Sequence, residues 1–336
     1  MSVSNCSFTR LDGNAVLLSG FNRNATLDSN TFRWIGGTAM ASWGGTDSIS
    51  DAGIHGFDAT PGDFPRNTLV QRNVVSEIGL FEKQSSAWFQ AQTAQTTLER
   101  NILFNGARAG VNFNDGMGGG SVLDRNLVFN FCRESTDHGP FNSWDRNMYL
   151  VRQPNDSGAA STTPLFNQMH HNMLVANWQA QEAIDTDDGS AYLNATENFL
   201  VYGNYGQKTD FAGHDNYQSR NIYAYISPVC YVDLGGGEVS SPAHRNLHSH
   251  NVCVQPVPSD ATYAAFDCRN ASAGCPDNEC RPVTGNNTVY NPTGNTSVCG
   301  MPLQEWQALG HDVGTKVVQG LPSDEELIGW AEAMLL

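Results

Sequence analysis

Four segments crowd chemically costly residue types: GVNFNDGMGGG (110–120), RESTDHGPFNSWDR (133–146), AIDTDDGS (183–190) and KTDFAGHDNY (208–217). Carboxyl groups held close together disfavour each other's ionisation, so one keeps its proton while another is charged. That division of labour suits acid–base chemistry on a glycosidic bond. Asp115 or Asp137 is the candidate acid, and Asp187 or Asp188 the candidate base or nucleophile, with His138 and His214 orienting them. Lys83, Gln84, Asn114, Asn142, Trp144, Arg146, His214 and Asp215 are candidates for holding substrate. Trp88, Tyr192 and Tyr217 add aromatic faces for stacking on sugar, and Arg108, Arg133 and Lys208 could bind hydroxyls or brace the acids. The competing reading of each Asp is an Asx turn, of Lys83 a surface salt bridge, and of Asp145–Arg146 a structural ion pair. His170–His171 read as a strand cap, and His244, His248 and His250 as loop histidines. Glu134, Glu182 and Glu197 read as spare carboxylates.

Elements that could bring these segments together show up as a repeat. Asn followed by alternating apolar residues recurs at Asn5, Asn30, Asn73, Asn101, Asn126, Asn147, Asn172, Asn198, Asn221, Asn251 and Asn287. From Asn73 to Asn251 the steps are 28, 25, 21, 25, 26, 23 and 30 residues, and the 43-residue step before Asn73 reads as a turn with an inserted loop. Each copy is a short strand with period-two apolar character. Alone it cannot bury its apolar face, but stacked copies share a continuous core. The expected fold is therefore all-β: a single-stranded, right-handed parallel β-helix over 1–300, with a helical tail over 301–336. A β-propeller, with longer blades, is the alternative. The recurring Asn is expected to sit in a left-handed turn and to bond the same residue one coil away. Counted from each Asn, the ionisable residues of five coils share a window of about eight positions, which predicts one groove.

The tail SDEELIGWAEAMLL opens with a capping box, Ser323 and Glu326, and is expected to cover the last coil. No such cap is visible at the start, so further chain is expected before Met1. Hydrophobic content of 40% and charged content of 15% fit a packed core. A net charge of −16 argues against nucleic acid as partner, and no apolar run is long enough to span a membrane. Eight cysteines, five of them from Cys253 to Cys299, favour disulfides of unassigned pairing over zinc, because Cys268, Cys275 and Cys280 lack paired CxxC spacing. Sequons at Asn5, Asn24, Asn155, Asn194, Asn270, Asn286 and Asn295 agree with a secreted glycoprotein.

On the segments GVNFNDGMGGG, RESTDHGPFNSWDR and DDGS, the chain resembles right-handed β-helices of the pectate-lyase-like superfamily, and in particular secreted proteins carrying those segments. The likeness covers roughly residues 5 to 320, but the Arg-rich signature of calcium-dependent pectate lyases is absent. The fold implied by the resemblance hosts hydrolases, lyases, epimerases and adhesins. The first expectation is a monomeric glycoside hydrolase acting on a polysaccharide or glycan, with no cofactor. The second is a lyase or epimerase on a uronic-acid polymer, with Lys83 or His138 as base, an Arg on the substrate carboxylate and calcium on the Asp cluster. The third is a non-catalytic glycan-binding solenoid.

Overall fold

The computed structural model describes residues 1–44, 63–114, 119–144, 165–177, 180–210, 213–234, 244–256, 262–266 and 281–336. They form a parallel β-helix, each coil giving one strand to each of three sheets. The first sheet has 10 strands, from Ser2–Ser4 to Val283–Gly285. The second has 11, from Ser7–Leu11 to Lys316–Gln319, and the third 11, from Val16–Ser19 to Met301–Pro302. Pairing is parallel apart from the last pair of the third sheet. One apolar core runs along the axis, filled by inward residues such as Leu27, Phe32, Val70, Leu98, Leu103, Val128, Leu174 and Leu200.

The Asn repeat forms a hydrogen-bonded ladder at the turn between the first and second sheets. The Asn73 side-chain oxygen accepts from both the backbone and the side-chain nitrogen of Asn30, each at 3.0 Å. The pattern continues through Asn101, Asn126, Asn172, Asn198, Asn221, Asn251 and Asn287. All these Asn are buried. The expected inter-coil bond is therefore present, but the left-handed conformation belongs to the residue before each Asn. Arg72, Arg100, Arg125, His171, Glu197 and Arg220 have φ between 53° and 56°. This turn carries the chain round a corner while the Asn amide satisfies the backbone that the corner leaves open.

Two rungs differ from expectation. Asn126 bonds Asn172 directly, so no coil intervenes, and the Asn147 segment lies outside the described residues. Asn5 is itself the left-handed residue, and Cys6 occupies the rung, its backbone nitrogen donating to Asn30 at 3.0 Å.

The tail is more than helical. Helix α1 (Leu303–Ala308) brings Leu303 and Trp306 into the main core. Lys316–Gln319 then adds a strand to the second sheet against Thr288–Asn291. Helix α2 (Asp324–Leu335) has the predicted capping box. It lies on the outer face of the second sheet, with Leu327 packed among Phe199, Ile222, Ala224 and Val254, so it is α1 that meets the end of the core. Cys230 and Cys253 form a disulfide, while Cys268, Cys275 and Cys280 fall outside the described residues. No described helix is long and apolar enough to cross a membrane.

Candidate functional site

Three neighbouring strands of the third sheet, Phe141–Ser143, Glu182–Thr186 and Tyr205–Asp210, carry the densest chemistry. Their register stacks Asn142, Asp185 and Lys208 in one row. Strand alternation sets this row opposite the core residues Phe141 and Ile184. Beside it, Trp144 and Asp187 continue past the strand ends, and Asp187 N–H donates to the Ser143 carbonyl at 2.8 Å.

Lys208 is the hub. Its Nζ lies 3.1 Å from Asp185, 3.2 Å from Asp210, 3.3 Å from Glu182 and 3.8 Å from Asp187. Glu182 and Asp185 are wholly buried and Lys208 nearly so. One ammonium cannot neutralise four carboxylates in so dry a place, so protons are retained. Burial, reinforced by Asp185, pushes the Glu182 carboxyl up to about 9 against the pull of Lys208. Burial likewise raises Asp210 to about 6, although Lys208 and the Asp188 N–H favour its charged form. Burial would strip the Lys208 proton, but Asp185, Glu182, Asp210 and Asp187 outweigh it and raise its pKa. Lys208 is a fixed cation and not a base.

A second layer comes from the turn before Phe141. His138 Nδ1 meets Asp185 at 2.8 Å, and Asn142 donates to the same carboxylate oxygen at 2.9 Å. His138 Nε2 lies 2.6 Å from the Arg108 guanidinium, which also pairs with Asp137 at 2.7 Å. Because guanidinium only donates, Nε2 is the acceptor and the ring carries its proton on Nδ1. Gly139 lets this turn lie on the strand below, since a Cβ there would stand 2.2 Å from the Glu182 carbonyl. The Cys132 thiol donates to the His138 carbonyl, and burial pushes its pKa up, so it is no nucleophile.

Behind the row the interior is polar. Gln207 donates to Thr186 and Thr209 at 2.9 and 2.8 Å, and Ser143 bonds Ser190 at 2.6 Å. Solvent reaches the cluster at Asp187, whose side chain is 16% exposed, and at Arg108 and Asp137.

The sequence window thus resolves into three places. Asp137, His138, Asn142, Trp144 and Asp187 converge, with the Trp144 indole N–H donating to Asp187 at 2.9 Å. Asp188 joins through its backbone, its N–H donating to Asp210 at 2.7 Å, in a left-handed turn with Gly189. Asn114 ends the adjacent strand Val111–Asn114, one coil from Trp144. Lys83 and Gln84 remain in a turn between the second and third sheets. There Lys83 makes an exposed ion pair with Glu134 at 2.9 Å, and the Gln84 backbone bonds Glu82. His214 and Asp215 fall in the turn after the third sheet. They form a separate triad in which the Nδ1 atoms of His214 and His244 meet Asp215 at 2.7 and 2.6 Å. Asp115 and Arg146 lie outside the described residues.

Some expectations are corrected. Asp137 is poorly suited to be the acid. Burial would raise its pKa, but the Ser135 hydroxyl, His138 and Arg108 hold its carboxyl below the usual range. Trp88 is a core residue and offers no sugar platform. Glu182, set aside as a spare, sits at the centre of the cluster. His248 is no loop residue but is buried in the first sheet against Tyr231. Lys208, named as a possible brace for the acids, holds four of them, whereas Glu182 was legible only through register, because an isolated Glu carries no signal of burial.

Two triads near this sheet could ligate a metal by composition, His138–Asp185–Asp187 and His214–Asp215–His244. Lys208 already fills the space that calcium would need among the first set's carboxylates, so those residues do not fit that ion. In the second set, contacts of 2.6–2.7 Å are hydrogen bonds. Comparison of the chain with protein families, with curated proteins and with solved structures finds no match.

Proposed function

We propose that this chain is a carbohydrate-active enzyme of the pectate-lyase-like type. It hydrolyses a glycosidic bond on the outer face of the third sheet. The observation carrying this reading is that Asp187 and Asp210 face one ammonium, Lys208, in a cluster where burial raises Asp210. Asp210, raised to about 6, is the acid that protonates the leaving oxygen. Asp187, fixed by the Trp144 indole, stands opposite as nucleophile or base. Both approach one ammonium, so their nearest oxygens are no more than about 7 Å apart. Neighbouring parallel strands are about 4.8 Å apart, which favours the retaining arrangement. Lys208 and the His138–Asp185 pair position these groups, and Trp144 offers a stacking face. The resemblance of the GVNFNDGMGGG, RESTDHGPFNSWDR and DDGS segments to those of secreted β-helix proteins is the ground for taking a glycan as substrate and an extracellular site of action.

A second reading, elimination on a uronic-acid polymer, is favoured by one contact. His138, backed by Asp185, presents Nε2 beside the Arg108 guanidinium. A uronate carboxylate taking Arg108 would free Nε2 to remove the C5 proton.

A polysaccharide screen reading both reducing ends and ultraviolet-absorbing unsaturated product separates the two. Hydrolysis gives reducing ends alone, and Asp210→Asn lowers their rate by about 10²–10⁴-fold. Unsaturated product that disappears in His138→Ala would replace the first reading with the second. Binding without either product would reject both.

A further inference from the structure

At the turn between the first and second sheets, away from the third-sheet cluster, two adjacent histidines face a buried carboxylate. Asp124 and His170 are register partners on neighbouring strands. His171 follows in the left-handed conformation, φ 56°, which swings its ring to the same side. The three atoms Asp124 Oδ1, His170 Nδ1 and His171 Nδ1 form a triangle with sides of 2.9, 3.1 and 3.5 Å. Ligands at 2.0–2.1 Å from a tetrahedral ion are separated by roughly 3.3 Å. The His214–Asp215–His244 contacts, at 2.6 and 2.7 Å, are too short for that geometry.

Hydrogen bonding does not satisfy the triangle. One proton shared by the two Nδ1 atoms bonds the rings to each other. Asp124 Oδ1 is then left buried with no hydrogen-bond partner, although His170 Nδ1 is 2.9 Å away. A buried carboxylate oxygen without a donor is costly. A cation among the three atoms satisfies all of them at once.

The surroundings match a metal site. Glu197, one coil on, meets the far nitrogen of His171, Nε2, at 3.3 Å, as an outer carboxylate orients a ligating imidazole. Arg220 holds Glu197 in turn at 2.9 Å, and Arg125 holds the other Asp124 oxygen. The histidine side chains are 28–29% exposed, so water can enter and complete a fourth position.

We infer that Asp124, His170 and His171 bind one divalent transition-metal ion of the zinc type, which clamps the coils of Asn126 and Asn172. It is independent of the proposed carbohydrate chemistry. The test uses the full chain, stripped with chelator and titrated with Zn²⁺ or Co²⁺. Expected are one retained ion per chain, a tetrahedral Co²⁺ absorption band and a higher melting temperature with Zn²⁺. His171→Ala and Asp124→Asn abolish retention, and Glu197→Gln weakens it about 10–100-fold. His244→Ala leaves it intact. Because His171 lies at the surface, its variant keeps the test valid if Asp124→Asn fails to fold. No retained ion, or an ion lost in His244→Ala but kept in His171→Ala, overturns the assignment.

Discussion

Around Lys208, four carboxyls compete for one ammonium, and their protonation follows from depth and neighbours. Glu182 shows the consequence for stability. In the folded chain it keeps its proton up to about 9, against an ordinary value of 4.5. Between those values the folded state binds the extra proton. The stabilisation is therefore complete below about 4.5 and is lost as pH rises through about 9. Glu182→Gln mimics the protonated form, so its melting temperature is expected to fall less between pH 6 and 9 than that of the parent. Equal slopes would contradict this protonation. His248 has the opposite sign. Burial lowers it from 6.5 to about 3, so its contribution is present above 6.5 and lost as pH falls through about 3. His248→Phe is expected to flatten the acid limb of stability, read by denaturant unfolding at pH 7 and pH 4. At this scale the sequence singled out His138 and Asp187 by crowding. It passed over Glu182 because nothing in QEAID announces complete burial.

The strand and its corner turn are the units that convert residue types into geometry. Asn172 accepts from Asn126 twice and donates to Leu123 O and Asn198. Asn172→Ala leaves buried donors and acceptors open, and about 2–4 kcal/mol of destabilisation is expected by denaturant unfolding. A change below about 0.5 kcal/mol would mean that the ladder merely decorates the corner. The same ladder explains how far the site could be read in advance. Asn142, Asp185 and Lys208 share a row, yet lie 16, 13 and 10 residues after their ladder Asn. The turns between the second and third sheets differ in length, so counting from the Asn loses register before the third sheet begins. The window gathered residues of three separate places, of which only one is the third-sheet row.

Across the whole molecule, the stacked repeat was legible because every coil repeats the same burial problem and the same corner. The tail was not. A capping box marks where α2 starts but not which surface it covers, and that surface is the apolar patch of Phe199, Ile222 and Val254 on the second sheet. Leu327→Ala is expected to cost about 2–3 kcal/mol and to raise hydrogen exchange of α2 first. Loss of the whole solenoid at the same step would show that α2 holds the fold together. The net charge of −16 disfavours polyanions at long range, which sets neutral glycans ahead of uronic polymers unless Arg108 prevails locally. The acid–base role of the Lys208 cluster meets its most direct test in the pH dependence of turnover on a substrate found by screening. With Asp210 as the acid, the rate is expected to fall as pH rises through about 6, and Asp210→Asn to remove that limb together with most of the activity. An unchanged profile and turnover in Asp210→Asn would contradict the account.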